Sequence, residues 1–94
     1  MRAALFEKDY VVFYCPGCGN SHGLTVNGRK NGSGATWIWN GSLELPTFSP
    51  SIHCEPGNPR YHCHSFVREG KIQFLSDCFH DLAGQTIDLP EWED

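Results

Sequence analysis

Cys15-Pro16-Gly17-Cys18-Gly19 is the stretch whose reading decides the fold. Two cysteines separated by two residues and followed by glycine form a tight turn that aims both sulfurs at one metal ion. Pro16 fixes its own φ near about −65°, and Gly17 and Gly19 tolerate the positive φ that such a turn often uses. Backbone amides in the turn then donate to the sulfurs and stabilise their charged form. The turn supplies only two ligands, whereas structural zinc takes four in a tetrahedron. The remaining sequence is therefore read for whatever closes the site.

Around this knuckle lie only 94 residues, which imply a single zinc-binding domain over 1–94 with an acidic tail at 90–94. A chain of this size buries roughly 60–65% of its unfolded surface, so a metal staple is a common supplement to the core. The apolar fraction is 39%, and 10 glycines with 6 prolines point to many turns, as in a β-rich domain rather than a helical bundle. Five cysteines do not make a closed disulfide set. Arg2, Glu7, Lys8 and Asp9 break up the start of the chain, which does not read as a secretory leader. No run approaches the roughly 20 apolar residues of a membrane span. The expected location is cytoplasmic, where thiols stay reduced and bind metal. The net charge of −4 does not suit non-specific nucleic-acid binding.

Strands are expected on both sides of the knuckle: Val11-Val12-Phe13-Tyr14 enters it and residues 22–26 leave it. Strand, knuckle, strand is the hairpin of a zinc ribbon. A short strand over 3–6 precedes it. Trp37-Ile38-Trp39 reads as a strand with both tryptophans on one face. Asn40-Gly41 predicts a turn that lets 42–45 pair back onto it. In Pro46-Thr47-Phe48-Ser49-Pro50-Ser51-Ile52, apolar and hydroxyl residues alternate, and Pro50 confines the stretch to a sheet edge. Pro56-Gly57-Asn58-Pro59 marks a turn, 61–68 and 71–77 a hairpin, 78–83 a short helical turn stopped by Gly84, and 86–89 a last strand. The expected fold class is thus mainly β (small α+β): a zinc-ribbon-like antiparallel β domain with one short helical turn.

With Glu69-Gly70 as a two-residue loop, Arg68 faces Lys71, Val67 faces Ile72, Ser65 faces Phe74 and Cys63 faces Ser76. Cys63 and Cys78 then lie diagonally on one face, and the ligand set is Cys15, Cys18, Cys63 and Cys78. A one-residue slip would send the two late cysteines to opposite faces. His64, His80 and His22 are the alternates, because each lies close in sequence to a proposed cysteine. Cys54 is left as a spare thiol. His22, His64, Asp77 and His80 also form a candidate catalytic group, since convergent His and Asp side chains are what metal or acid–base chemistry needs.

These segments together resemble one family. They are the knuckle with His22, residues 37–41, 46–52, Cys63-His64-Ser65-Phe66-Val67, residues 70–75, Asp77-Cys78 with His80, and Leu82-Ala83-Gly84-Gln85. It is a small zinc-binding family of tailed phages, prophages and some bacterial operons, of unassigned function. Its members commonly carry an ammonia monooxygenase label, and related genes lie beside bacterial ubiquitin-like conjugation genes. The label fails on physical grounds: a membrane copper enzyme needs spanning helices, and a thiolate-rich set suits Zn²⁺ better than an oxygen-activating Cu(II) centre. The resemblance implies a phage-type, cytosolic, zinc-binding domain and no particular reaction.

Three functions compete. The first is a protein-interaction module towards a host or phage protein, using Trp37, Trp39, Thr47, Ser49 and Ser51. The alternative is a metal-dependent hydrolase or deconjugating enzyme using the His/Asp group. A nucleic-acid-binding zinc ribbon comes third. The interaction module is the leading expectation.

Overall fold

The computed structural model describes residues 1–54 and 62–92. Among these, nine strands form three antiparallel sheets. The first has the order β1-β2-β3, made of Ala4–Phe6, Tyr10–Cys15 and Asn20–Thr25. The second pairs β4 (Ile38–Trp39) with β5 (Phe48–Ser49). The third runs β6-β7-β8-β9, made of Ile52–Cys54, Cys63–Arg68, Lys71–Phe74 and Thr86–Asp88. No described helix is long and apolar enough to cross a membrane.

Period-2 burial builds the core. In β2, Val11, Phe13 and Cys15 are fully buried, because alternate residues of a pleated strand share one face. In β7 the same rule buries Cys63, Ser65 and Val67, while His64 and Phe66 turn outwards. Phe13 stacks on Phe48, with ring centroids 6.2 Å apart, and so joins the first sheet to the second. Ile72 and Phe74 of β8 close the core from the third sheet.

The β7–β8 ladder has the expected register: Arg68 opposite Lys71, Val67 opposite Ile72, Ser65 opposite Phe74. Glu69 and Gly70 both take positive φ, 49° and 77°, as a two-residue primed turn demands. Thr47 Oγ1 accepts the Glu69 N–H at 2.8 Å and secures the loop. The strand, knuckle, strand hairpin is also present, with Cys15 opposite Asn20.

Three local expectations are corrected. Residues 42–45 do not pair back on the tryptophan strand; β5 takes that place. The reason is Asn40. Its side chain accepts the N–H groups of Ser42 and Thr47, each at 3.1 Å, and donates to the Leu45 carbonyl at 3.0 Å. The intervening chain is wrapped around one amide instead of extended. Residues 78–83 form no helix; they make separate turns, with Cys78 N bonded to Leu75 O and Ala83 N to His80 O. His80 Nδ1 takes the Leu82 N–H at 3.3 Å, which diverts a donor a helix would need. Finally, Cys63 does not face Ser76, because β8 ends at Phe74 and the chain turns away. The turn expected at 56–59 lies outside the described residues.

Candidate functional site

Two clusters of reactive side chains lie on opposite faces of β6 and β7. The β6–β7 register sets Cys54 opposite Cys63 and His53 opposite His64. Alternation therefore sorts thiols to the interior and imidazoles to the exterior.

On the inner face, one ligand atom each from Cys15, Cys18, His22 and Cys63 lies within 4.8 Å of the others, so this group can hold a metal ion. The knuckle is formed as its residues demand. Gly19 has φ 68°, Gly19 N bonds to Cys15 O at 2.9 Å, and Cys18 N donates to Cys15 Sγ at 3.4 Å. The hydrogen bond from the Cys63 thiol lowers the Cys15 pKa, against the effect of burial. Burial, and then the charge on Cys15, raise that of Cys18. Cys63 is raised by its bond to Cys15 and by burial. Burial opposes protonation of His22, but its bonds to Cys15 and Cys54 outweigh this and lift it to about 9. Each thiolate thus opposes the loss of a proton from its neighbours. A divalent cation would displace those protons and let all three be thiolates. The donor set, three sulfurs and an imidazole, fits zinc.

Cys78 and His80 sit beside this group. With Cys63 they form a second set of potential ligands, and His80 Nε2 is 3.5 Å from Cys63 Sγ. Cys78 Sγ is engaged with the His64 backbone, donating to its carbonyl at 3.1 Å and accepting its N–H at 3.3 Å. Its sulfur also belongs to no group with those of Cys15 and Cys18. The His80 ring covers the knuckle so closely that a Cβ on Gly17 would collide with it. Cys54 lies at the rim, its Sγ 3.4 Å from His22 Nδ1.

On the outer face, Ser51 Oγ is 3.0 Å from His64 Nε2. His64 Nδ1 is 3.5 Å from Asp77 Oδ2. The same carboxylate oxygen meets His62 Nε2 at 2.8 Å. That bond is the leading cause holding the Asp77 carboxyl below the ordinary carboxylate range. Hydroxyl, imidazole and carboxylate thus stand in line. With a proton on Nδ1 facing the carboxylate, the Nε2 lone pair is left to accept from Ser51. The His64 side chain is 23% exposed, and Ser51 is half-buried.

Of the four residues grouped as catalytic candidates, His64 and Asp77 come together, whereas His22 and His80 stand among the thiols. Of the five grouped for partner binding, Ser51 faces His64 and Thr47 secures the Glu69 loop. Ser49 is exposed. Trp37 and Trp39 pack against the core, with their indole N–H groups donated to Ser51 O and Ser42 O at 3.3 and 3.0 Å. The sequence reading grouped Ser51 with the partner-binding residues rather than as a nucleophile, and assigned no role to His53 or His62. His53 was nevertheless detectable, since it precedes Cys54 as His64 follows Cys63, and an antiparallel pairing of the cysteines brings the histidines opposite each other.

A family model described as "Bacterial ubiquitination-like system serine protease (BubE)" matches residues 2–75. The matched segment includes Ser51 and His64 and stops just short of Asp77. No curated protein and no solved structure matches the chain.

Proposed function

The chain belongs to the BubE family, and we propose that it is a serine peptidase of a bacterial ubiquitination-like system, with Ser51 as nucleophile. One observation carries the reading: Ser51 Oγ, His64 and Asp77 are aligned by contacts of 3.0 and 3.5 Å. In this reading Ser51 Oγ attacks the scissile carbonyl while His64 Nε2 takes its proton. His64 then returns that proton to the leaving amine, and water repeats the sequence on the acyl-enzyme. Asp77 Oδ2 holds the Nδ1–H tautomer and stabilises the imidazolium. The substrate backbone would run along the exposed Ser49 to Ser51 stretch, so the protein partner expected from sequence becomes the protein cleaved.

Cys15, Cys18, Cys63 and His22 would hold Zn²⁺, whose contribution is structural: it ties the β2–β3 turn to β7. This reading keeps the deconjugating half of the alternative expected from sequence and moves the chemistry from a metal to a serine. The ion stabilises the scaffold, and the serine performs the chemistry.

A fluorophosphonate probe tests this, because it labels serines activated by a neighbouring base. We expect the wild type to be labelled at Ser51, and Ser51→Ala and His64→Ala to remain unlabelled with unchanged thermal melts. Equal labelling of wild type and Ser51→Ala would refute the assignment.

A further inference from the structure

We propose that His53, His62, His64 and Asp77 form a reversible divalent-cation site, distinct from the thiol centre, whose occupation switches the serine centre off. The binding half of this stands on geometry alone; the inhibitory half rests on the serine-peptidase reading.

Three separate parts of the chain bring the ligands together. His53 comes from β6, His62 and His64 from β7 and the residue before it, and Asp77 from the turn after β8. One ligand atom from each lies within 4.8 Å of the others. His53 and His64 stack with ring centroids 4.3 Å apart and planes 16° apart. His53 Nε2 is 3.0 Å from His62 Nε2, and His62 Nε2 is 2.8 Å from Asp77 Oδ2. His64 Nδ1 completes the group, 3.5 Å from that oxygen. Metal–nitrogen bonds of about 2.0–2.1 Å imply ligand–ligand edges of about 3.3 Å in a tetrahedron. These three separations lie around that value, and no pair in the group exceeds 4.8 Å.

A hydrogen-bond conflict points the same way. His62 Nε2 faces both a carboxylate oxygen and another ring nitrogen at hydrogen-bond distance. An in-plane N–H aims well at only one of them. A cation among the lone pairs satisfies both contacts at once. Three imidazoles and one carboxylate, with no thiol, suit Zn²⁺, Cu²⁺ or Ni²⁺ and disfavour the all-oxygen ions Ca²⁺ and Mg²⁺. The side chains of His62, His64 and Asp77 are 16%, 23% and 50% exposed, so an ion enters and leaves without unfolding.

The cost to catalysis follows from the tautomer. In the resting state His64 Nδ1 bears the proton and Nε2 offers a lone pair to Ser51. A metal on Nδ1 needs that nitrogen's lone pair, so the single ring proton moves to Nε2. His64 then points an N–H at Ser51 Oγ and accepts nothing. Asp77, engaged with the ion, no longer restores the working tautomer.

The test uses full-length protein with its thiol centre loaded and loosely bound ions stripped. Zinc chloride is titrated against a chromophoric chelator while Ser51 labelling by the fluorophosphonate is timed. The wild type should take up a further equivalent, and labelling should slow by about 10²-fold, the low end of what a general base contributes. Brief EDTA treatment should restore the rate. His53→Gln and His53→Ala should label at the uninhibited rate and keep the wild-type melt, but lose the extra equivalent and the inhibition. No further equivalent in wild type, or equal inhibition of the His53 variants, would overturn the site. A further equivalent bound by wild type and lost in the His53 variants, with no labelling in any condition, would uphold the site and refute the serine reading.

Discussion

The two faces of β7 differ in almost everything except their origin. Inward, Cys63 joins Cys15, Cys18 and His22 in a largely buried cluster of sulfur and imidazole donors. Outward, His64 joins Ser51, Asp77, His53 and His62 in a cluster open to water. One strand serves both because successive side chains point to opposite sides. The contrast teaches which chemistry needs which environment. In the proposed reading, thiolates gathered largely out of water would hold an ion that keeps the fold. In the same reading, the base lies at the surface because it must meet its substrate and exchange protons.

The largest predicted effect is on the inner face. Cys15→Ser or Cys18→Ser, or removal of the ion by a strong chelator, should abolish the cooperative thermal melt. Structural zinc sites contribute on the order of 10–16 kcal/mol in small peptides, and a domain this size has no comparable reserve. A cooperative melt retained in either variant would mean that the inner cluster is not the staple. Next comes Ser51→Ala, expected to cut cleavage by on the order of 10⁴-fold or more while leaving the melt in place. If the melt falls with the activity, the two faces are not separable. Asp77→Asn should cost less, about 10²-fold, below the ~10⁴ of a buried triad aspartate. Asp77 is half exposed and 3.5 Å from the ring it orients; steady-state rates decide this. The smallest effect tests the loop that joins β7 to β8. Glu69 sits at φ 49°, which suits Asn better than Glu. Glu69→Asn should stabilise the domain by up to about 1 kcal/mol in denaturant melts, with metal content and labelling unchanged.

The inner face was far more legible in sequence than the outer. A two-residue spacing between Cys15 and Cys18 announces itself, because the ligands are neighbours in the chain. The Glu69-Gly70 loop set the β7–β8 register correctly, because a short loop leaves few alternatives. Past Phe74 the extrapolation failed: ladder geometry does not reveal where a strand stops. Asn40 misled for a similar reason. Asn40-Gly41 reads as a hairpin turn, whereas the Asn40 side chain collects the backbone of residues 42–47. Ser51 was the hardest to see. Its partner His64 is 13 residues away, and a serine carries no mark of reactivity until a base stands beside it. The protein-interaction reading gave weight to Trp37 and Trp39 because large aromatics make good anchors. In the fold they pack on the core, and their indole donors are engaged with backbone carbonyls.

The turn after β8 holds Asp77, Cys78 and His80 within four consecutive residues. Asp77 faces the imidazoles, Cys78 grips the His64 backbone, and His80 lies over the knuckle against Cys63. In the proposed reading, the carboxylate that orients the base therefore shares a turn with a thiol on the His64 backbone and an imidazole beside Cys63. Oxidants or alkylating agents that consume these sulfurs would loosen that turn. They would silence the proposed reaction, in which no cysteine takes part, so a peptidase working through Ser51 would share the vulnerabilities of a thiol one.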